Sequence, residues 1–310
     1  MTPAAIDRRG LWAAAGSFVI WGMMPLYWHL LKNVPSMQIV MHRIAWSTVL
    51  VVGGLCLTQG LRWLRTAMAR PRVPWMLALS GVLIAFNWGL YIWAVNAGHV
   101  VETSLGYFIN PLLNVLLGVL LLRERLTMAQ WVSVAVAAGG VLWLTFNYGS
   151  FPWIALSLAA SFGFYGFIRK LAVVDSIPGL AIESLYLFVP AVAALVWLES
   201  HGSGGFVSSW SWQTDALLVF GGVLTALPLI GFSYAVRRIP YSVVGFMQYL
   251  APTLQLLIGV LVFNEVFDRD RAIGFIFIWI GLAIFAIDGV LRSRRASPFS
   301  LREKVARSDG

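Results

Sequence analysis

The chain has 310 residues, of which 59% are hydrophobic and only 11% charged, with a formal net charge of +9. A soluble domain carries about 25% charged residues, so this chain has too little polar surface for water, and a bilayer is the solvent that fits. The basic residues sit in short clusters between apolar runs, which is a topology signal and not a nucleic-acid groove, and the single Cys56 excludes an internal disulfide and argues against a cysteine metal site.

A spanning helix needs about 20 mostly apolar residues. Ten runs meet this: 11–31, 36–58, 73–96, 100–122, 129–146, 151–171, 178–198, 214–236, 242–263 and 271–291. They are continuous and lack the alternation of barrel strands, so the expected class is an all-α integral membrane protein. Arg8 and Arg9 precede the first run, which is too long for a signal-peptide core. Short connections carry turn residues, as in Asn147-Tyr148-Gly149-Ser150. The 199–213 connection, with Gly202, Gly204 and Gly205, is expected to be a flexible exposed loop.

Lys and Arg alternate between the two sides. One side holds Arg8, Arg9, Arg62, Arg65, Arg70, Arg72, Arg123, Arg125, Arg169, Lys170, Arg237, Arg238 and the basic tail; the other holds only Lys32, Arg269 and Arg271. The positive-inside rule puts the first side, with both termini, in the cytoplasm of a bacterial inner membrane protein. Arg43 is the one cation left inside a span.

The halves repeat at an offset near 141. Gly81-Val82-Leu83-Ile84-Ala85 matches Gly222-Val223-Leu224-Thr225-Ala226, Pro111 matches Pro252, and Glu124 matches Glu265. At a slightly larger offset Ser17-Phe18-x-x-Trp21-Gly22 matches Ser161-Phe162-x-x-Tyr165-Gly166. Five spans per half is an odd number, so the second half must be inverted, an arrangement common in secondary transporters. The expected organisation is a cytoplasmic N-terminus over 1–10, five-helix repeats over 11–146 and 151–291, and a basic cytoplasmic tail over 292–310.

The segments His42-Arg43-x-x-Trp46-Ser47, Asn87-Trp88 with Ile92-Trp93-Ala94-Val95-Asn96, Ser104-Leu-Gly-Tyr-Phe-Ile-Asn-Pro-Leu112, Phe164-Tyr165-Gly166 with Arg169-Lys170, and Gly245-Phe-x-Gln248-Tyr249-x-x-Pro252-Thr253 carry a family likeness. On these, the repeat resembles the EamA-type unit of the drug/metabolite transporter superfamily, and the whole chain is similar to the RarD-type permeases. The resemblance implies a ten-helix inner-membrane permease and names no substrate.

Polar side chains in hydrocarbon are expected at packed interfaces or a wet cavity. Thr103, Tyr107, Asn110 and Asn114 form one stripe on the fourth span; Gln248 and Gln255 form its counterpart on the ninth. Pro111 and Pro252 lie within these stripes as helix breaks, and matched interruptions point to a binding site. Interhelical hydrogen bonding is the alternative reading. Trp21, Trp28, Asn87, Trp88, Tyr91 and Tyr165 are candidate cavity contacts. Trp12, Trp75, Trp131 and Trp153, at span ends, read as interfacial anchors.

Arg43 suits an anionic substrate group, with a salt bridge to Glu102 or snorkelling to the headgroups as alternatives. His42, Glu102 and Glu183 are candidates for proton coupling or a gate, with hydrogen-bonded packing as the alternative for His42. No zinc, Walker or nucleophile-elbow motif is present, so no enzyme activity, cofactor or metal is expected. The expected function is secondary transport of a small polar or amphipathic metabolite or drug by alternating access. Its expected partners are a small molecule, an anion among the candidates, and the lipid bilayer, with a homodimer as an open option and no nucleic acid. A membrane enzyme on lipid-linked substrates and a membrane scaffold are the competing classes; few acids and histidines cluster at one face, and the inverted repeat argues against a scaffold.

Overall fold

Asp7 accepts a hydrogen bond from the Arg9 N–H at 2.8 Å and so starts α1 (Arg8–Leu30) ahead of the expected Leu11. In the computed structural model, residues 7–97, 99–148, 151–264 and 269–306 are described; Glu265 and, of the Asn147–Ser150 connection, Gly149 and Ser150 lie outside them. The chain continues through α2 (Ser36–Gln59), α3 (Arg62–Met68), α4 (Arg72–Asn96), α5 (Val100–Leu120) and α6 (Met128–Tyr148). The second half comprises α7 (Trp153–Leu171), α8 (Ser176–Ser200), α9 (Trp212–Val236), α10 (Tyr241–Gln248), α11 (Leu250–Leu261) and α12 (Arg269–Ala306). Among the described residues, ten spans are long and apolar enough to cross a membrane, with α10 and α11 together making one of them. Among the described residues there is no strand.

Packing is symmetric between the halves. α1 packs on α9 as α7 packs on α4, and α5 packs on α7 as α10 and α11 pack on α1. Three pairs map onto themselves: α2 with α8, α5 with α10, and α6 with α12. Exchanging the five-span halves therefore preserves the contacts. The α6–α12 pair is closely spaced, since a Cβ on Gly140 would come 2.7 Å from the Gly274 carbonyl oxygen. The side of the membrane holding residue 8 is called the N-terminal side below, the other the far side. Trp12 and Trp75, 78% and 79% exposed, sit at the N-terminal-side ends of α1 and α4 as interfacial anchors.

The structure departs from the sequence reading in several places. The 59–72 connection contains α3, which tucks Trp63 and Ala67 inward. The breaks at the two prolines are unequal: α5 runs continuously through Pro111, while the ninth span breaks at Tyr249, where the chain tightens into a Tyr249 N–H to Phe246 C=O bond. Pro252 then lies in the first turn of α11, where its missing N–H forfeits no intrahelical hydrogen bond. The 199–213 connection is a folded strap and not a loose loop. Phe206 and Trp210 join an apolar cluster with Tyr27, Leu31, Val34 and Leu218, and Gln38 donates to the Ser203 carbonyl at 2.6 Å. Finally, α12 continues as a helix to Ala306, through most of the segment expected to be a tail.

Arg169 is the largest correction. Counted by sequence among the loop cations, it lies inside α7 and is 1% exposed. Gly179 makes room for it on α8, where any Cβ would collide with the guanidinium, and Glu183 supplies the counter-charge at 3.5 Å. Arg43 is therefore not the only cation within a span.

Candidate functional site

A cavity of about 210 Å³ lies in the far-side half of the bundle. α1 lines it with Phe18, Trp21 and Trp28, α4 with Asn87, Trp88 and Tyr91, and α5 with Tyr107 and Asn110. α9 adds Thr225, and the broken span adds Gln248, Pro252 and Gln255. Tyr91 and Tyr107 are deep in the bundle yet 37% and 38% exposed, because the cavity brings solvent to them. Their rings meet edge to face at 6.0 Å.

Arg43 enters this cavity from α2. Its Nε donates to Thr225 Oγ1 at 2.8 Å, and Thr225 in turn donates to the Gly221 carbonyl, which fixes the acceptor. The guanidinium carbon lies 4.9 Å from the Trp28 ring centroid and 5.2 Å from that of Trp88. Two indole faces thus stabilise the cation at the cavity wall. Among the described residues, the terminal nitrogens make no hydrogen bond and no carboxylate lies within 4.0 Å of them. The Glu102 salt bridge weighed from sequence is not formed. Glu102, 3% exposed, accepts from the Ile154 N–H at 2.8 Å and so caps α7.

The polar stripes meet across the halves. Asn114 Nδ2 donates to Gln248 Oε1 at 2.6 Å, while Asn110 Oδ1, buried at the cavity wall, has no partner. Asn87 donates at 2.9 Å to the Leu158 carbonyl and to Ser161 Oγ, tying α4 to α7. Gln255 Nε2 donates to the Trp21 carbonyl at 3.1 Å. That carbonyl is free because Pro25, one turn later, has no N–H to offer it.

An aromatic floor closes the cavity toward the N-terminal side. Phe232 packs 6.2 Å from Phe18 and 5.3 Å from Phe162, and lies nearly parallel to Tyr165 at 6.0 Å. Of the residues singled out from sequence, Trp21, Trp28, Arg43, Asn87, Trp88, Tyr91, Thr103, Tyr107, Asn110, Gln248, Pro252 and Gln255 line the cavity. His42 does not: its ring rests on Phe206 at 4.7 Å, under the strap. Asn114 and Pro111 lie behind the wall, Tyr165 lies under the floor, and Glu102 and Glu183 are elsewhere. Phe18, Phe162 and Leu229 carry no polar signal, and only the helix crossings bring them here.

Ten apolar spans packed around a solvent-reached, cation-bearing cavity define a polytopic membrane protein. The profile of the EamA-like transporter family matches residues 8–146 and again 151–287. The chain is 45% identical to an uncharacterized transporter of Pseudomonas aeruginosa over 93% of this chain and 96% of the relative. It is 40% identical to Protein RarD of Escherichia coli over 94% and 98% of the two chains, and 33% identical to the chloramphenicol-sensitive protein RarD of Pseudomonas aeruginosa over 94% and 97%. A solved crystal structure shares the fold at a TM-score of 0.68 with 18% identity, covering 94% of this chain and 100% of the other. The chain belongs to the EamA-like transporter family and, within it, is a RarD-type permease: a multi-pass membrane transporter.

Proposed function

We propose that the far-side cavity binds a small organic anion and carries it across the membrane by alternating access, as a secondary transporter. The observation that carries this is Arg43, a cation held between two indoles with its terminal nitrogens unused. Burying an unpaired charge costs several kcal/mol. A structural role would be expected to pair it, whereas a substrate site leaves it open for a bidentate anion. Asn110 Oδ1, without a partner, suits a hydrogen-bond donor on the same molecule.

Flux in proteoliposomes tests this, using a library of metabolites with carboxylates paired to their neutral amides. Flux of carboxylates and not of amides is expected, and Arg43→Lys, which keeps the charge but loses the planar fork, should cut it at least tenfold, a cost of about 1.4 kcal/mol in transition-state terms. Equal flux of the amides, or unchanged flux in Arg43→Lys at equal protein abundance, overturns the anion site.

A further inference from the structure

Beneath the aromatic floor lies a second polar cluster that the cavity does not use. Arg169, from α7, places Nη1 3.5 Å from Glu183 Oε1 of α8, and the two side chains are 1% and 2% exposed. Arg169 Nε donates to Ser233 Oγ of α9 at 2.9 Å, and Nη2 donates to the Ser176 carbonyl at 3.1 Å. Ser80 of α4 donates to Glu183. Arg169 Nη1, Glu183 Oε2 and Ser176 Oγ are fully buried and make no hydrogen bond.

The repeat relates this cluster to the cavity. Aligned through Ser17 and Ser161, the cavity face of α1, Phe18, Trp21 and Pro25, falls on Phe162, Tyr165 and Arg169 of α7. Arg43 crosses from α2 to Thr225 on α9, and Glu183 crosses from α8 to Ser80 on α4, the same helix pair after exchange of the halves. One copy of this surface is open to solvent; the other is shut, with Tyr165 on Phe232 and Arg169 on Glu183.

We propose that the Arg169–Glu183 cluster is the closed form of a second anion-accepting vestibule, which opens toward the N-terminal side and in which Arg169 contacts the substrate as Arg43 does in the far-side cavity. This rests on the transporter reading above. The ion pair suits a reversible seal. A dehydrated pair has little net stability because desolvation offsets the attraction, so hydration of both charges on opening makes their separation accessible. The orphaned polar atoms mark the same point: the shut state leaves three groups unsatisfied that water or a bound anion would satisfy.

Thiol labelling tests it without any substrate. In a Cys56→Ser background, single cysteines are placed at Ser233, which is 0% exposed beside Arg169, and at Ala251 in the cavity wall, and reacted with a polar maleimide. With the pair intact, Ser233→Cys should label slowly, and Ala251→Cys, 7% exposed on the wall of the open cavity, faster. Adding Glu183→Gln should accelerate the first severalfold and slow the second, because opening one side closes the other. Should Glu183→Gln fail to fold, Arg169→Gln with Glu183→Gln removes both charges together and leaves neither unpaired. Faster labelling at Ser233→Cys with Ala251→Cys unchanged means local loosening and overturns the vestibule; no change at either means a structural pair and overturns it as well. Labelling does not depend on flux, so a failure here leaves the far-side anion site standing, and absent flux leaves the labelling result intact.

Discussion

At the scale of single residues, the structure separates charges that hold helices from those that face the cavity. Glu102 caps α7 through the Ile154 N–H, and Glu124 accepts from the N–H groups of Tyr241 and Ser242 at 2.6 and 2.9 Å to cap α10. Lys170 does the opposite task, donating to the Val236 and Ile239 carbonyls at the end of α9. Arg43 has no such duty. Glu102→Gln should therefore lower stability by about 1 kcal/mol, the usual loss at a helix N-terminus, measured by thermal unfolding in detergent, and it should not rescue Arg43→Ala. Recovery of flux in the Arg43→Ala, Glu102→Gln pair would instead argue for the Arg43–Glu102 salt bridge that the structure does not form. The stripe Tyr107, Asn110 and the glutamines of the ninth span were legible in sequence because polar residues at helical spacing are conspicuous in an apolar run. Arg169 was not legible: near a span end beside Lys170 it looks like a loop charge, and only the bare Cα of Gly179 on another helix permits its burial.

At the scale of elements, prolines decide where carbonyls are released. Pro25 frees the Trp21 carbonyl, and Gln255 from the broken span takes it. This bond ties α1 to α11 at the cavity wall, where Gly22 already lets Leu254 approach. Gln255→Leu should cost about 0.6 kcal/mol, the average for an interhelical hydrogen bond in a membrane, because the carbonyl is left without a donor. In a Pro25→Ala background the backbone N–H returns, and the same Gln255→Leu substitution should become nearly neutral. A double-mutant cycle of detergent stability reads the coupling; equal losses in both backgrounds would mean that Gln255 acts through packing and not through Trp21. The unequal fate of Pro111 and Pro252 follows from surroundings that sequence does not display. α5 packs tightly at Pro111, where a Cβ on Gly245 would lie 2.6 Å from its carbonyl oxygen, so that turn is braced by the neighbouring helix.

At the scale of the whole molecule, ten apolar runs and an odd number of spans per half were enough to read the architecture, because bilayer thickness sets span length and an odd count forces inversion. What sequence could not supply was the state of the bundle: the cavity is open in the far-side half and shut by Phe232 and the Arg169–Glu183 pair in the other. Which side of the membrane the cavity faces depends on orientation. The N-terminal side gathers Arg62, Arg65, Arg70 and Arg72 on and around α3, together with Arg237, paired to Asp175 at 3.3 Å, and Arg238, 3.7 Å from Asp7. Removal of Arg169 from the loop set leaves this asymmetry intact, since the far side still holds few cations. From the positive-inside bias we propose that the N-terminal side is cytoplasmic and that the cavity faces outward. Reporter fusions after Arg65 and at the C-terminus should both give cytoplasmic signals. Ala251→Cys should then react with an impermeant maleimide added to intact spheroplasts, and Ser233→Cys should not. Periplasmic signals from both fusions, or labelling of Ser233→Cys alone from outside, would reverse the assignment and make the open cavity the cytoplasmic one.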